Sequence, residues 1–141
     1  MSTSTDPAPP LDELGFYVLA GQPTSTRDAI EEVRTADAMG FGTAFVSERY
    51  NLKEAAALCG AVGAVSDRLR VQTAATNHNT RHPIVTAGFA RTMQSLTGGR
   101  FVLGIGRGVP VLQDVYGIPR ITTAQMEDFA GVMRRLWHGD T

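Results

Sequence analysis

Three short polar segments each follow an apolar run, and their residue types could carry chemistry. Ser47-Glu48-Arg49-Tyr50 sets a carboxylate beside a guanidinium. Thr76-Asn77-His78-Asn79-Thr80-Arg81-His82 offers amides, imidazoles and a further cation. Gly106-Arg107-Gly108 holds a cation between glycines, where a ligand could approach the backbone closely. Glu48 and Arg49 place opposite charges just past a strand, either as part of a site on that rim or as a loop salt bridge or solvated charges. Other chemistries fail on spacing. His78 and His82 straddle a loop and a helix start with no third ligand in register, so a zinc site is not supported. They read as surface residues, with His82 beside Pro83 as a helix cap. No G-x-S-x-G nucleophile elbow is present. Gly104-Ile105-Gly106-Arg107-Gly108 is glycine-rich, but a dinucleotide fingerprint belongs after a first strand and opens directly into a helix.

These segments are positioned by one pattern met four times: apolar strand, loop, amphipathic helix, glycine turn. The expected strands are Gly15 to Leu19, Thr43 to Ser47, Leu69 to Ala75 and Arg100 to Ile105. The first helix starts near Ser25, carries Ile30, Val33 and Ala36 on one face, and stops at Gly40. The second covers about Leu52 to Val65 and is alanine-rich where it packs. The third opens at Pro83, with a predicted apolar stripe of Val85, Phe89, Thr92, Met93 and Leu96, and ends at Gly98-Gly99. A loop is expected over 106–121. Thr122 and Gln125 have capping-box spacing for a fourth helix, with Met126, Phe129, Met133 and Leu136 inward and Gly139 as its stop. Short apolar strands alternating with helices predict a parallel α/β sheet, with ligands at the carboxyl ends of the strands. Periodicity does not separate a barrel from a doubly wound sheet. In a barrel, Val18, Phe45, Val71 and Leu103 are expected to face the interior.

The bulk properties narrow the function classes. The chain has 141 residues and a formal net charge of −1, so no basic excess points to nucleic acid or a membrane surface. No apolar run approaches the roughly 20 residues of a membrane span. The single cysteine, Cys59, cannot form an internal disulfide and reads as a small buried apolar residue. Residues 1–13 are expected to be an unstructured tail without a secretion signal, and 14–141 the folded unit, in a reducing cytoplasm.

Taken together, the segments resemble the luciferase-like monooxygenase superfamily. The resemblance is carried by Ala38-Met39-Gly40-Phe41 and Val46-Ser47-Glu48, by Leu69-Arg70-Val71-Gln72-Thr73-Ala74-Ala75, and by His82-Pro83. It continues through Leu96-Thr97-Gly98-Gly99-Arg100-Phe101, Gly104-Ile105-Gly106-Arg107-Gly108 and Leu136-Trp137-His138-Gly139. It implies the N-terminal half, about four β/α units, of a TIM (β/α)8 barrel whose carboxyl rim binds coenzyme F-420 (a deazaflavin) or FMN. In the deazaflavin-dependent branch an acid and a histidine follow the second strand. Glu48 matches the acid, while Arg49 stands in the histidine's place and would be a poor general base. The resemblance also implies a bulge with a non-proline cis peptide at Ala74-Ala75, Asn77 beside the cofactor ring, and Arg107-Gly108 along the cofactor. A complete barrel of this type takes about 300 residues. The expectation is therefore an oxidoreductase that transfers hydride between coenzyme F-420 and a small organic substrate, completed by a missing half or by homo-oligomerisation. The competing readings are an FMN monooxygenase, a non-catalytic half-barrel, and a hydrolase or isomerase barrel, since fold alone does not fix chemistry.

Overall fold

The computed structural model describes residues 11–139. Residues 1–10 of the expected tail lie outside that range; residues 11–13 form a turn closed by the Leu14 N–H on the Leu11 carbonyl, at 2.9 Å. The strands are β1 (Gly15–Tyr17), β2 (Thr43–Val46), β3 (Arg70–Thr73), β4 (Thr76–Asn77), β5 (Phe101–Val102) and β6 (Ile105–Gly106). The helices are α1 (Ala29–Ala38), α2 (Ala55–Val65), α3 (Pro83–Leu96), α4 (Pro110–Tyr116) and α5 (Thr123–His138). The order β1-β2-β3-β5 makes one sheet and β4-β6 a second, with every pair parallel. Strand order follows chain order, and α1 packs on α2, α2 on α3, and α3 on α5. A doubly wound sheet reverses its strand order and splits its helices between faces. Sequential strands under one continuous helix layer are instead the arrangement of a half-barrel.

The third and fourth expected strands are each interrupted. A cis peptide joins Ala74 to Ala75, between β3 and β4. There the Thr73 hydroxyl accepts the Gly104 N–H at 2.7 Å and donates to the Gly104 carbonyl at 2.8 Å, replacing ladder bonds. Gly104 has to be glycine, because a Cβ would overlap the Thr73 carbonyl.

Residues alternate across the sheet in rows set by register. Phe16, Ala44, Val71 and Phe101 form a row under the helices, and its last three members are buried. The adjacent row, Tyr17, Phe45, Gln72 and Val102, faces the other way and stays open; Tyr17 is 40% and Val102 39% exposed. This corrects the expected phase. Val18 and Val71 belong to the buried helix-side core, Leu103 packs against it, and of the four only Phe45 lies on the open face.

The helices differ in detail too. α3 buries Thr86, Ala87, Ala90 and Met93 and leaves Val85 and Leu96 more than half exposed. Neighbours come close here: the Phe89 and Phe101 rings meet edge-on at 5.2 Å, and a Cβ on Gly63 would lie 3.2 Å from the Met93 methyl. The expected loop contains α4, opened by Pro110 and closed by Gly117 at φ 63°. α5 has the expected Thr122–Gln125 capping box, and Gly139 ends it. Its Phe129 and Met133 join Ala87 in a second core. His78 stacks on Phe129 at 4.7 Å rather than lying on the surface, and burial lowers its pKa. His82 is the cap of α3. Cys59 is buried, and its thiol is pushed up to about 12, chiefly by desolvation. Among the described residues, no helix is long and apolar enough to cross a membrane.

Candidate functional site

Where β2 ends, Glu48 hydrogen-bonds from its backbone N–H to the Ala75 carbonyl at 3.0 Å, tying two strand ends together. Its carboxylate is almost wholly engaged. Oε1 accepts from the Ala55 N–H at 3.0 Å, in the first turn of α2, where backbone donors favour an anion. Oε2 accepts from the Thr76 hydroxyl at 2.9 Å and from Arg81 Nη2 at 2.8 Å. The Glu48 side chain is 2% exposed. Arg81 also donates to Thr76 Oγ1 at 2.9 Å and pairs with Glu54. Burial opposes the Arg81 charge, but bonds to Glu48 and Glu54 outweigh it and raise its pKa. A buried ion pair is tolerable when its remaining oxygens and protons find partners, as they do here.

Beyond β4, the Asn77 carboxamide donates to the Gly106 carbonyl at 2.8 Å and accepts from the Tyr50 hydroxyl. Burial, then the Glu48 charge, raises the Tyr50 pKa. Tyr50 meets Tyr116 of α4 edge-on at 5.9 Å. Gly108, at φ 79°, passes so near that a Cβ would sit 3.0 Å from Asn77 Nδ2. The result is a cavity of about 350 Å³ at the carboxyl rim, walled by Ser47, Glu48, Arg49, Tyr50, Ala75, Asn77, Gly106 and Gly108 and roofed by Leu112 and Tyr116 of α4. Larger grooves flank α1, one between α1 and α2 and one along the β1 edge that reaches Tyr17.

Five of the seven sequence-derived site residues thus meet at one cavity: Glu48, Arg49, Ala75, Asn77 and Gly108. Ala74 is exposed outside it. Arg107 is exposed as well and reaches Thr123 Oγ1 only at 3.4 Å. Arg49 forms a backbone bridge with Lys53, and its guanidinium donates to the Gly21 carbonyl.

A further corner was not singled out from the sequence. The Tyr17 and Ser47 hydroxyls share a hydrogen bond, with Ser47 on the cavity wall. Lys53 is buried at 4% exposure, donates to the Val18 carbonyl and, at 3.2 Å, to the Leu19 carbonyl, and holds its ammonium 4.2 Å over the Tyr17 ring. Leu19 is a positive-φ residue, at 54°, and its N–H bonds Glu32 Oε2 at 2.7 Å. The only signal in the sequence was the position of Tyr17 near a strand end; nothing local marks a lysine as buried.

The luciferase-like monooxygenase family profile matches residues 12–141. A phthiodiolone/phenolphthiodiolone dimycocerosates ketoreductase of Mycobacterium sp. (strain JLS) is 39% identical over 71 residues, which are 50% of this chain and 19% of that protein. The structure of coenzyme F-420-dependent tetrahydromethanopterin reductase from Methanopyrus kandleri aligns at a TM-score of 0.62 and 24% identity, over 75% of this chain and 29% of that one. The oxygenating constituent of 3,6-diketocamphane monooxygenase from Pseudomonas putida, in complex with FMN, aligns at a TM-score of 0.71 and 22% identity, over 88% and 39%. The chain therefore spans well under half the length of the proteins it matches.

Proposed function

The chain belongs to the luciferase-like monooxygenase family, and on that premise we propose that it forms the cofactor-binding part of an oxidoreductase that transfers hydride between coenzyme F-420 and a small carbonyl compound. The observation that carries the reading is the carboxyl-rim cavity, where the backbone at Ala75, Gly106 and Gly108 makes one wall and Tyr50, Leu112 and Tyr116 supply apolar and aromatic surface. Such a lining suits a flat fused ring, with polar groups only at its edge. When bound, the deazaflavin supplies a two-electron hydride chemistry that no side chain here possesses.

The residues around it do the positioning. Asn77, fixed between Tyr50 and Gly106, presents a carboxamide at the ring edge. Glu48, held by Arg81 and the α2 N-terminus, acts through the Ala75 carbonyl and Thr76, fixing the interrupted strand. Arg49 and the lightly held Arg107 are the cations available to an anionic tail. A keto substrate accords with the ketoreductase relative and an F-420 cofactor with the Methanopyrus reductase. FMN in a monooxygenase is the second reading, favoured by the FMN-bound Pseudomonas structure. The open row of Tyr17, Phe45, Gln72 and Val102 calls for a cover, either the rest of a barrel or a second copy of the chain.

Titrating the assembled protein with F-420 and with FMN, followed by cofactor fluorescence, tests the reading. F-420 is expected to bind more tightly, and Asn77→Ala to weaken binding about tenfold, the worth of one or two buried hydrogen bonds. Tighter FMN binding would support the monooxygenase; binding of neither would overturn both.

A further inference from the structure

We propose that Tyr17 is the proton donor of this site: its hydroxyl, held by Ser47 and backed by the Lys53 ammonium, protonates the oxygen of a carbonyl substrate as the adjoining carbon accepts hydride. The proposal rests on the oxidoreductase reading above and names the group that reading leaves unassigned. Reducing a carbonyl to an alcohol takes a hydride and a proton. Arg49 does not release a proton near neutral pH. The Glu48 carboxylate is paired with Arg81 and already accepts from Ala55, Thr76 and Arg81. The Tyr50 hydroxyl donates to Asn77, and burial with the neighbouring Glu48 charge makes it a weaker acid.

Tyr17 is placed differently. It is the last residue of β1, on the open row of the sheet, at the rim where the strands end. Its ring is partly exposed, and its hydroxyl meets Ser47 on the cavity wall. Lys53 makes no ion pair among the described residues, although it is buried. A buried cation without an ion pair is expensive unless hydrogen bonds offset the cost, and here the Val18 and Leu19 carbonyls accept from the ammonium. The same ammonium lies 4.2 Å over the Tyr17 ring, which places a positive charge beside the phenol. The other charges that act on Lys53 are Arg49, which disfavours its protonation, and Glu32, which favours it. Burial lowers the Lys53 pKa from its ordinary 10.5, and Tyr17 partly restores it.

With a reduced deazaflavin bound as the two-electron donor, a C–H bond would form at the carbonyl carbon from its hydride. The C=O π pair moves to oxygen, which takes the Tyr17 proton as the phenolic O–H breaks. The carbonyl would gain the two electrons that the bound deazaflavin gives up, and the phenolate left beside Lys53 would regain a proton from water through Ser47. An ammonium near the ring stabilises that phenolate where charge develops.

The test uses the assembled protein with F-420 and a simple ketone. Tyr17→Phe is expected to lower kcat by about 10²- to 10⁴-fold, the range of a lost general acid, while the F-420 dissociation constant changes by less than about threefold. A milder variant, Ser47→Ala, is expected to lower kcat about tenfold with cofactor binding kept. Independently of turnover, ¹⁵N NMR of the cofactor-free protein follows the Lys53 Nζ. Because Tyr17 raises the Lys53 pKa, Tyr17→Phe is expected to move that titration to lower pH. Unchanged kcat in Tyr17→Phe, a Lys53 titration that does not move, or a parallel loss of cofactor binding would overturn the proposal. A wild-type protein that binds neither F-420 nor FMN would instead overturn the oxidoreductase reading, and the proposal with it.

Discussion

Phe101 and Val102 are neighbours in sequence on one short strand, yet they belong to two different environments. Phe101 sits in the row under α3, 5% exposed, against the ring of Phe89. Val102 sits in the row of Tyr17, Phe45 and Gln72, on the open face. The helix-side row is closed by the chain itself and holds the fold together. The other row is available to a ligand and to a further structural element, and all the chemistry proposed here gathers at its rim. Stability and function are thus separated by a single peptide unit.

Mutations can break that separation. The largest effect is expected for Phe101→Ala, which deletes a buried ring and leaves a cavity; a loss of about 3–5 kcal/mol is expected in urea unfolding. Against a total of about 5–15 kcal/mol, this variant approaches unfolding. Arg81→Ala comes next. It strands the buried Glu48 carboxylate without its cation, so about 3 kcal/mol should be lost. Arg81→Lys should recover only part of it, since an ammonium does not span Glu48, Glu54 and Thr76 as the guanidinium fork does.

A smaller effect is expected at Glu54. Burial alone would raise its pKa, but the Ala57 N–H and Arg81 outweigh burial and lower it below its ordinary 4.5. A lowered folded pKa contributes stability that is complete above the unfolded value and is lost as pH falls through the folded one. The urea midpoints of wild type and Glu54→Gln should therefore differ near neutral pH and converge in acid below pH 4.5. The Glu54 side chain is half exposed, so solvent screening keeps the difference small. Smallest of all is Val102→Ala, expected within about 0.5 kcal/mol of wild type when this face is open. A large loss there would mean that another element already covers the row, and would erase the contrast with Phe101.

The sequence made the four β/α units legible because their punctuation is local. Thr122 and Gln125 announce a capping box, Pro83 a helix start, and Gly98-Gly99 and Gly139 helix stops. The interruption at Ala74-Ala75 was legible through the family resemblance rather than through physics. What failed depends on partners distant in the chain. Strand phase was misread because Phe16-Tyr17-Val18 is apolar on both faces, so alternation does not say which face meets the helices. On α3, hydrophobicity picked out the large Val85 and Leu96, whereas close packing buried the small Ala87 and Ala90. α4 has its Pro and Gly signals, and Val111, Leu112, Val115 and Tyr116 recur at helical spacing, but the face they make is exposed rather than packed within the unit. At the site, Glu48 and Asn77 could be placed from their positions after strands. The engagement of Glu48 by Arg81 and the burial of Lys53 across from Tyr17 depend on tertiary contacts that no local pattern encodes.

A crystal structure of the assembled protein with reduced coenzyme F-420 tests the central claim most directly. The account predicts the deazaflavin ring at the carboxyl rim, in van der Waals contact with Ala75 and within hydrogen-bonding reach of Asn77, with the Tyr17 hydroxyl facing the space above it. A ring bound instead in the groove between α1 and α2, or on the helix side of the sheet, would contradict it.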